Sequence, residues 1–298
     1  MKTVSVLIKR NVKLFFKDKG MFFTAMITPA ILLVLYATFL GNVYRDSFLS
    51  GVPTGILLTD TAVNALVGGQ LVSSLLAVSC VTVAFCSNFL MVQDKVSGAY
   101  NDLCISPVDP RMLSIAYYAA TLISTLTICL SAAAICLVYM AFVGWYFSLA
   151  DVLLLLLDVV LLVLFGTALS SIVSFFLTTQ GQIPAVGTIV SSGYGFICGA
   201  YMPISSFAKG LQRVISFLPG TYATSLLRNH ATRGAFAEME QQGLPSVAIE
   251  AVRDSMDCNL YFFDRKVEMG AMYVILVGSV ILLLGVYVLL NVRKKVQK

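Results

Sequence analysis

The chain has 298 residues, of which 58% are hydrophobic and only 12% charged, and its mean hydropathy is +0.89. Soluble domains carry about 25% charged residues, so this composition excludes an ordinary soluble globular protein. The net charge of +5 comes from 20 Lys and Arg against 15 Asp and Glu. The basic excess sits at the two ends of the chain beside apolar runs, which marks a membrane surface and speaks against a nucleic-acid groove.

Residues 1–20 read as an interfacial amphipathic helix. Val4, Leu7, Ile8, Val12, Phe15 and Phe16 recur at helical spacing opposite Lys9, Lys13 and Lys17, the pattern of a helix lying among lipid headgroups. The apolar stretch that follows is longer than the core of a secretory signal and has no small-residue cleavage site behind it, so the segment reads as retained.

A spanning helix needs about 20 apolar residues. The runs at Met21–Gly41, Leu66–Val92, Ile115–Val143, Ala150–Leu177, Pro184–Tyr201 and Glu268–Leu290 therefore give six spans. The expected fold is an all-α polytopic membrane protein, with residues 21–298 forming one transmembrane domain. Lys and Arg in the amino-terminal tail, in the 93–114 loop (Lys95, Arg111) and at the carboxyl end (Arg293, Lys294, Lys295, Lys298) fall on one side, which places both termini in the cytoplasm.

The 202–267 segment is the longest interruption. Its first part is semi-apolar, broken by Pro203 and Pro219, and carries Lys209 and Arg213. It reads as a re-entrant hairpin whose turns are buried by protein. Beyond Arg233 the composition turns polar, and Ile249, Val252 and Met256 stand at helical spacing against Glu250, Arg253, Asp254 and Asp257, predicting a small amphipathic helix on the outer face.

Catalytic chemistry has little to work with. The dipeptide Gly-Lys never occurs, so a G-x-x-x-x-G-K-[ST] phosphate loop is absent. His230 is the only histidine, and no Ser, Cys or acid stands beside it in a convincing constellation. The seven cysteines form no C-x-x-C pair and are odd in number, which gives neither a disulfide framework nor a zinc site. The reading is a non-enzymatic chain with no metal and no cofactor of its own.

Three features remain. In the fourth span Asp151 and Asp158 are seven residues apart, about 20° on a helical wheel; either Asp158 relays a proton or cation, or it is a structural, hydrogen-bonded acid, the reading preferred here. In the fifth span Gly187, Ser191, Gly195 and Gly199 recur at every fourth residue with Thr188 and Ser192 beside them, a small-residue stripe that suits close helix packing, a subunit seam or a translocation path. The polar residues of the second span, Gln70, Ser73, Ser74, Thr82, Ser87 and Asn88, scatter around the wheel and predict a helix surrounded by protein. Between the second and third spans, a short helix stopped at Ser106-Pro107 and Asp109-Pro110 would offer Tyr100, Leu103 and Ile105 to a partner.

At this loop the sequence resembles the permease subunits of type-2 ATP-binding-cassette exporters. The matches are Asp94, Lys95, Gly98, Leu103, Ser106, Pro107 and Val108, followed by Ser192-Gly193, Met202-Pro203, Phe217-Leu218-Pro219-Gly220-Thr221-Tyr222 and Leu227-Arg228. Two departures are visible: Val96 and Ser97 stand where a second acid is common near the loop glycine, and an insert from Gly234 to Lys266 is longer than in polysaccharide-type members. The insert points toward exporters of drugs, lipids or similar amphiphiles. The resemblance implies an ATP-driven exporter of the plasma membrane, built from this chain, a second permease copy or paralogue, and a separate ABC ATPase holding ATP and magnesium. It implies that the 94–108 segment couples to that ATPase, and that the fifth-span stripe, together with the second span, lines the path or dimer seam. Membrane lipids complete the expected partners. An ion-coupled transporter using Asp158 and a non-transporting scaffold are the alternatives.

Overall fold

The computed structural model describes residues 2–35, 38–39, 41–50, 58–106, 108–263 and 265–296. In chain order the helices are α1 (Lys2–Lys17), α2 (Lys19–Leu35), α3 (Gly41–Ser50), α4 (Asp60–Ser97), α5 (Ala99–Ile105), α6 (Pro110–Val143), α7 (Leu149–Phe176), α8 (Gln182–Ile197), α9 (Lys209–Ile215), α10 (Pro219–Gln241), α11 (Ser246–Ser255) and α12 (Met269–Val296). A two-stranded antiparallel hairpin, β1 (Leu260–Phe262) with β2 (Arg265–Val267), pairs Leu260 with Val267. The chain is thus a helical, multi-pass membrane protein.

Among the described residues four helices, α4, α6, α7 and α12, are each long and apolar enough to cross a membrane, and α1 with α2 makes a fifth candidate bent by 74°. This falls short of the six spans read from the sequence. The fifth of those, Pro184–Tyr201, forms a helix of only 16 residues before the chain turns at Cys198. The first, Met21–Gly41, is helical to Leu35, and residues 36, 37 and 40 lie outside the described residues. The helix α3, which the composition did not announce, follows it.

α4 is the axis of the bundle, with α2, α6, α7, α8 and α10 packed around it. Its 38 residues run from Asp60 to Ser97, and Gly98, with a backbone φ of +86° in the left-handed region, stops the helix, a conformation glycine adopts without steric cost. Ser148 and Asp151 cap the start of α7 reciprocally, the Ser148 Oγ donating to Asp151 Oδ2 at 2.6 Å and accepting from the Asp151 amide at 3.2 Å. That arrangement satisfies backbone donors that would otherwise be stranded near hydrocarbon.

In the 202–267 segment two helices follow each other across a short turn. A 3-10 turn (Ile204–Ser206) and the short α9 lead into α10, whose face from Gly220 to Thr232 is buried continuously. α10 packs on α4, α7 and α12. The amphipathic helix α11 buries Ile249 in a satellite core with Ala62, Leu66, Phe236 and Met239, against which Val252 and Met256 pack.

Candidate functional site

The end of the bundle that holds α1, labelled inner in contrast to the outer end that holds α11, also gathers the end of α4, α5, the start of α6 and the loop after α7. Leu7 of α1, Met91 of α4 and Leu113, Ala116 and Tyr117 of α6 form a small buried cluster, and Tyr100, Leu103, Cys104 and Val108 pack against it. α5 therefore sits on its own apolar cushion. Tyr100 and Leu103, expected to face outward, turn inward; Tyr100 lies 6.3 Å from the Tyr117 ring between centroids, and burial pushes its phenol up to about 12. What α5 offers outward is Ile105, 85% exposed, together with Asn101 and Asp102. Ser106 ends the helix, its Oγ donating to the Leu103 carbonyl at 2.6 Å and its amide to Asp102. Pro107 lies outside the described residues.

The two charged residues at the start of this connection are used internally. Asp94 is buried and accepts from Arg10 of α1 at 2.7 Å and from the Tyr117 hydroxyl of α6. Lys95 directs its ammonium at the last carbonyls of α7, donating to Ser174 at 2.8 Å, Phe175 at 2.9 Å and Leu177 at 3.1 Å. A cation at a helix carboxyl end meets both unpaired carbonyls and the negative end of the helix dipole. Asp94 and Lys95 thus tie α4 to α1, α6 and α7 immediately before Gly98, and α5 hangs from that knot.

The small-residue stripe of α8 is divided by the structure. Gly195 is the one buried residue of this helix, and the ring that covers it is Tyr201 of the following turn; a Cβ there would stand 2.2 Å from that ring. The Tyr201 hydroxyl donates to the Ser191 carbonyl at 3.1 Å. Gly187 faces Phe89 of α4, and Gly199 occupies the turn with φ +73°. Thr188 and Ser192 are exposed. The tight approach at Gly195 is therefore local and not a helix-to-helix seam. Beside it, 94% of the apolar window of α4 is buried by this chain.

At the outer end, Arg228 of α10 is fully buried. Its guanidinium donates to the Met256 carbonyl at 2.6 Å, the Gly199 carbonyl at 2.9 Å and Ser74 Oγ at 3.2 Å, and pairs with Asp257 at 3.5 Å. Asp257 also accepts from the Ile204 amide at 2.8 Å. Burial pushes the Asp257 carboxyl up, and Arg228 pulls it back. Sequence reading quoted Leu227-Arg228 without finding this role; a lone arginine in a mixed helix carries no signal for partners that come from three distant segments.

Between these ends, Asp158 is fully buried. His230 Nδ1 lies 2.6 Å from its Oδ2, and the Tyr273 hydroxyl donates to its Oδ1 at 2.7 Å. The constellation around His230 that the sequence did not reveal is this one, assembled from α7, α10 and α12. Asp151 turns the same way, 3.4 Å from Arg233. Among the described residues no group of three His, Cys, Asp or Glu side chains could hold a metal ion.

A helical bundle hung around one central membrane helix, with a short helix displayed at its inner end, is matched by a family model for ABC-2 type transporters over residues 2–230. The chain belongs to the ABC-2 type transporter family. No curated protein matches it. The family match ends at His230, inside α10, so α11, the hairpin and α12 lie beyond it. ABC-2 membrane chains are transmembrane permeases and not catalytic domains.

Proposed function

We propose that this chain is the membrane-spanning permease subunit of an ATP-driven exporter of hydrophobic or amphiphilic molecules, such as drugs or lipids, with energy from a separate ABC ATPase that binds ATP and magnesium. The observation that carries the reading is α5: a short helix fixed at its root by Asp94 and Lys95, seated on its own apolar cluster, and presenting Ile105 to solvent. An exposed isoleucine on a short helix held at its root is the kind of apolar anchor that a groove on a partner takes. In this reading Ile105 enters a groove of the ATPase, and Tyr100, Leu103, Ser106 and Val108 hold the helix in place.

The arrangement is completed by α2 and α8 as short first and fifth spans, both termini in the cytoplasm, α1 lying in the interface, and α9 with the start of α10 entering the membrane from outside. A second permease copy or paralogue would meet this one through the exposed faces of α2 and α8, where Ile27, Ile31, Ile189 and Phe196 stand uncovered.

The test is co-purification from native membranes. The tagged chain should bring down an ATPase with a Walker motif, and Ile105→Asp should lose it while the protein keeps its melting temperature. Undiminished ATPase capture by the variant would overturn the docking role.

A second reading, an ion-coupled transporter, draws on the buried Asp158, His230 and Tyr273. It predicts flux from liposomes driven by a proton or sodium gradient without ATPase, and its loss in Asp158→Asn. The permease reading predicts no gradient-driven flux, and an asparagine that holds the same hydrogen bonds and keeps most ATP-dependent export.

A further inference from the structure

The inner end of the bundle carries a second concavity that none of these roles uses. Between α6 and α12 lies a groove of about 440 Å³, walled by Ile115, Tyr118, Leu284 and Val288 and closed toward the chain termini by Arg111 and Asn291. Its floor is already satisfied: Ser114 Oγ donates to Asn291 Oδ1 at 2.6 Å, and the Tyr287 hydroxyl donates to the Ser114 carbonyl at 3.2 Å.

Two groups are left over. Arg111 is exposed and forms no ion pair among the described residues. The Tyr118 hydroxyl is buried with no hydrogen-bond partner among the described residues, an expensive state for a donor beside hydrocarbon. The two lie seven residues apart on α6, which puts them on one face and about 10 Å apart along the axis. The groove thus has a cation at its polar end and apolar walls, the Tyr118 ring among them, beyond.

We propose that this groove binds one anionic phospholipid of the leaflet next to the chain termini. The phosphate pairs with Arg111, and an acyl chain runs along Ile115, the Tyr118 ring, Leu284 and Val288. Charge favours an anionic headgroup. Arg293, Lys294 and Lys295 follow Asn291 in the sequence, and Asp109, two residues before Arg111, accepts from the Arg111 amide at 2.9 Å. The proposal rests neither on the transport reading nor on which side of the membrane the termini occupy.

Native mass spectrometry of the full chain tests it, after exchange into nanodiscs of phosphatidylcholine with a minority of phosphatidylglycerol. One phosphatidylglycerol should stay bound in preference to phosphatidylcholine. Arg111→Gln, a change at an exposed position, should lower that retention about fivefold, as loss of one basic residue at a membrane surface implies, and Arg111→Lys should restore most of it. Val288→Trp, which fills the groove, should displace the lipid while the helical circular dichroism stays unchanged. Equal retention of both lipids by the unaltered protein would overturn the site, as would phosphatidylglycerol retention indifferent to Arg111→Gln. If Val288→Trp fails to fold, the Arg111 pair decides alone.

Discussion

α4 and α12 are both apolar enough to cross a bilayer, and the less apolar of the two is the buried one. The best window of α4 has a mean hydropathy of 2.1 and is 94% buried, whereas that of α12 has 2.7 and is 17% buried. In water the order would be reversed. Inside a membrane lipid tails solvate leucine as well as a protein core does, so burial goes to helices whose small and polar residues permit close approach and hydrogen bonding. α4 supplies Gly69 against the Ala231 carbonyl of α10, and Asn88 donating to Ser170 and Ser171 of α7 at 3.2 and 3.0 Å. In α12, Gly278 and Gly285 face open space.

Substitutions on the two helices and their partners sharpen or break that contrast. The largest effect should come from Arg228→Leu, which removes the guanidinium shared by Ser74 of α4, Gly199, Met256 and Asp257. Stranding those partners should cost about 3–5 kcal/mol, read as a shift in detergent-induced unfolding; a loss below the noise of that titration would show the outer knot to be replaceable. Next comes Gly69→Ala. Its new Cβ would lie 2.5 Å from the Ala231 carbonyl oxygen, and forcing α4 and α10 apart should cost about 1–3 kcal/mol. The smallest effect belongs to Gly285→Ala in α12, which meets nothing and should leave the melting temperature unchanged or raise it slightly, because alanine is worth about 0.5–1 kcal/mol over glycine in a helix interior. If Gly285→Ala destabilised as much as Gly69→Ala, α12 would have a buried face that the single chain does not show.

The positions of α4, α6, α7 and α12 were legible because uninterrupted apolar runs leave no other solution in a bilayer. α10 was not. Arg228, Asn229, His230 and Arg233 break its apolar pattern, and each is tolerated only because a segment distant in sequence supplies its partner. The periodicity of Ile249 and Val252 did mark α11, since that helix lies on a surface where one face is wet and the other is covered. At the inner end the sequence marked the right residues with the wrong direction. Tyr100 and Leu103 are apolar enough to dock anywhere, and only the cushion made by Leu7, Leu113 and Tyr117 decides that they dock on their own chain. In the stripe of α8, spacing shows that Gly195 needs room, but not that Tyr201 takes it.

Asp94 and Lys95 are neighbours on one helix, so their side chains leave the axis of α4 about 100° apart. One tether alone would let the helix spin beneath it; two at that angle fix its azimuth as well as its height. A load delivered through Ile105 therefore cannot be relieved by α4 turning in place. On the docking reading proposed above, it passes into α1 through Arg10 and into α7 through the carbonyls that Lys95 holds.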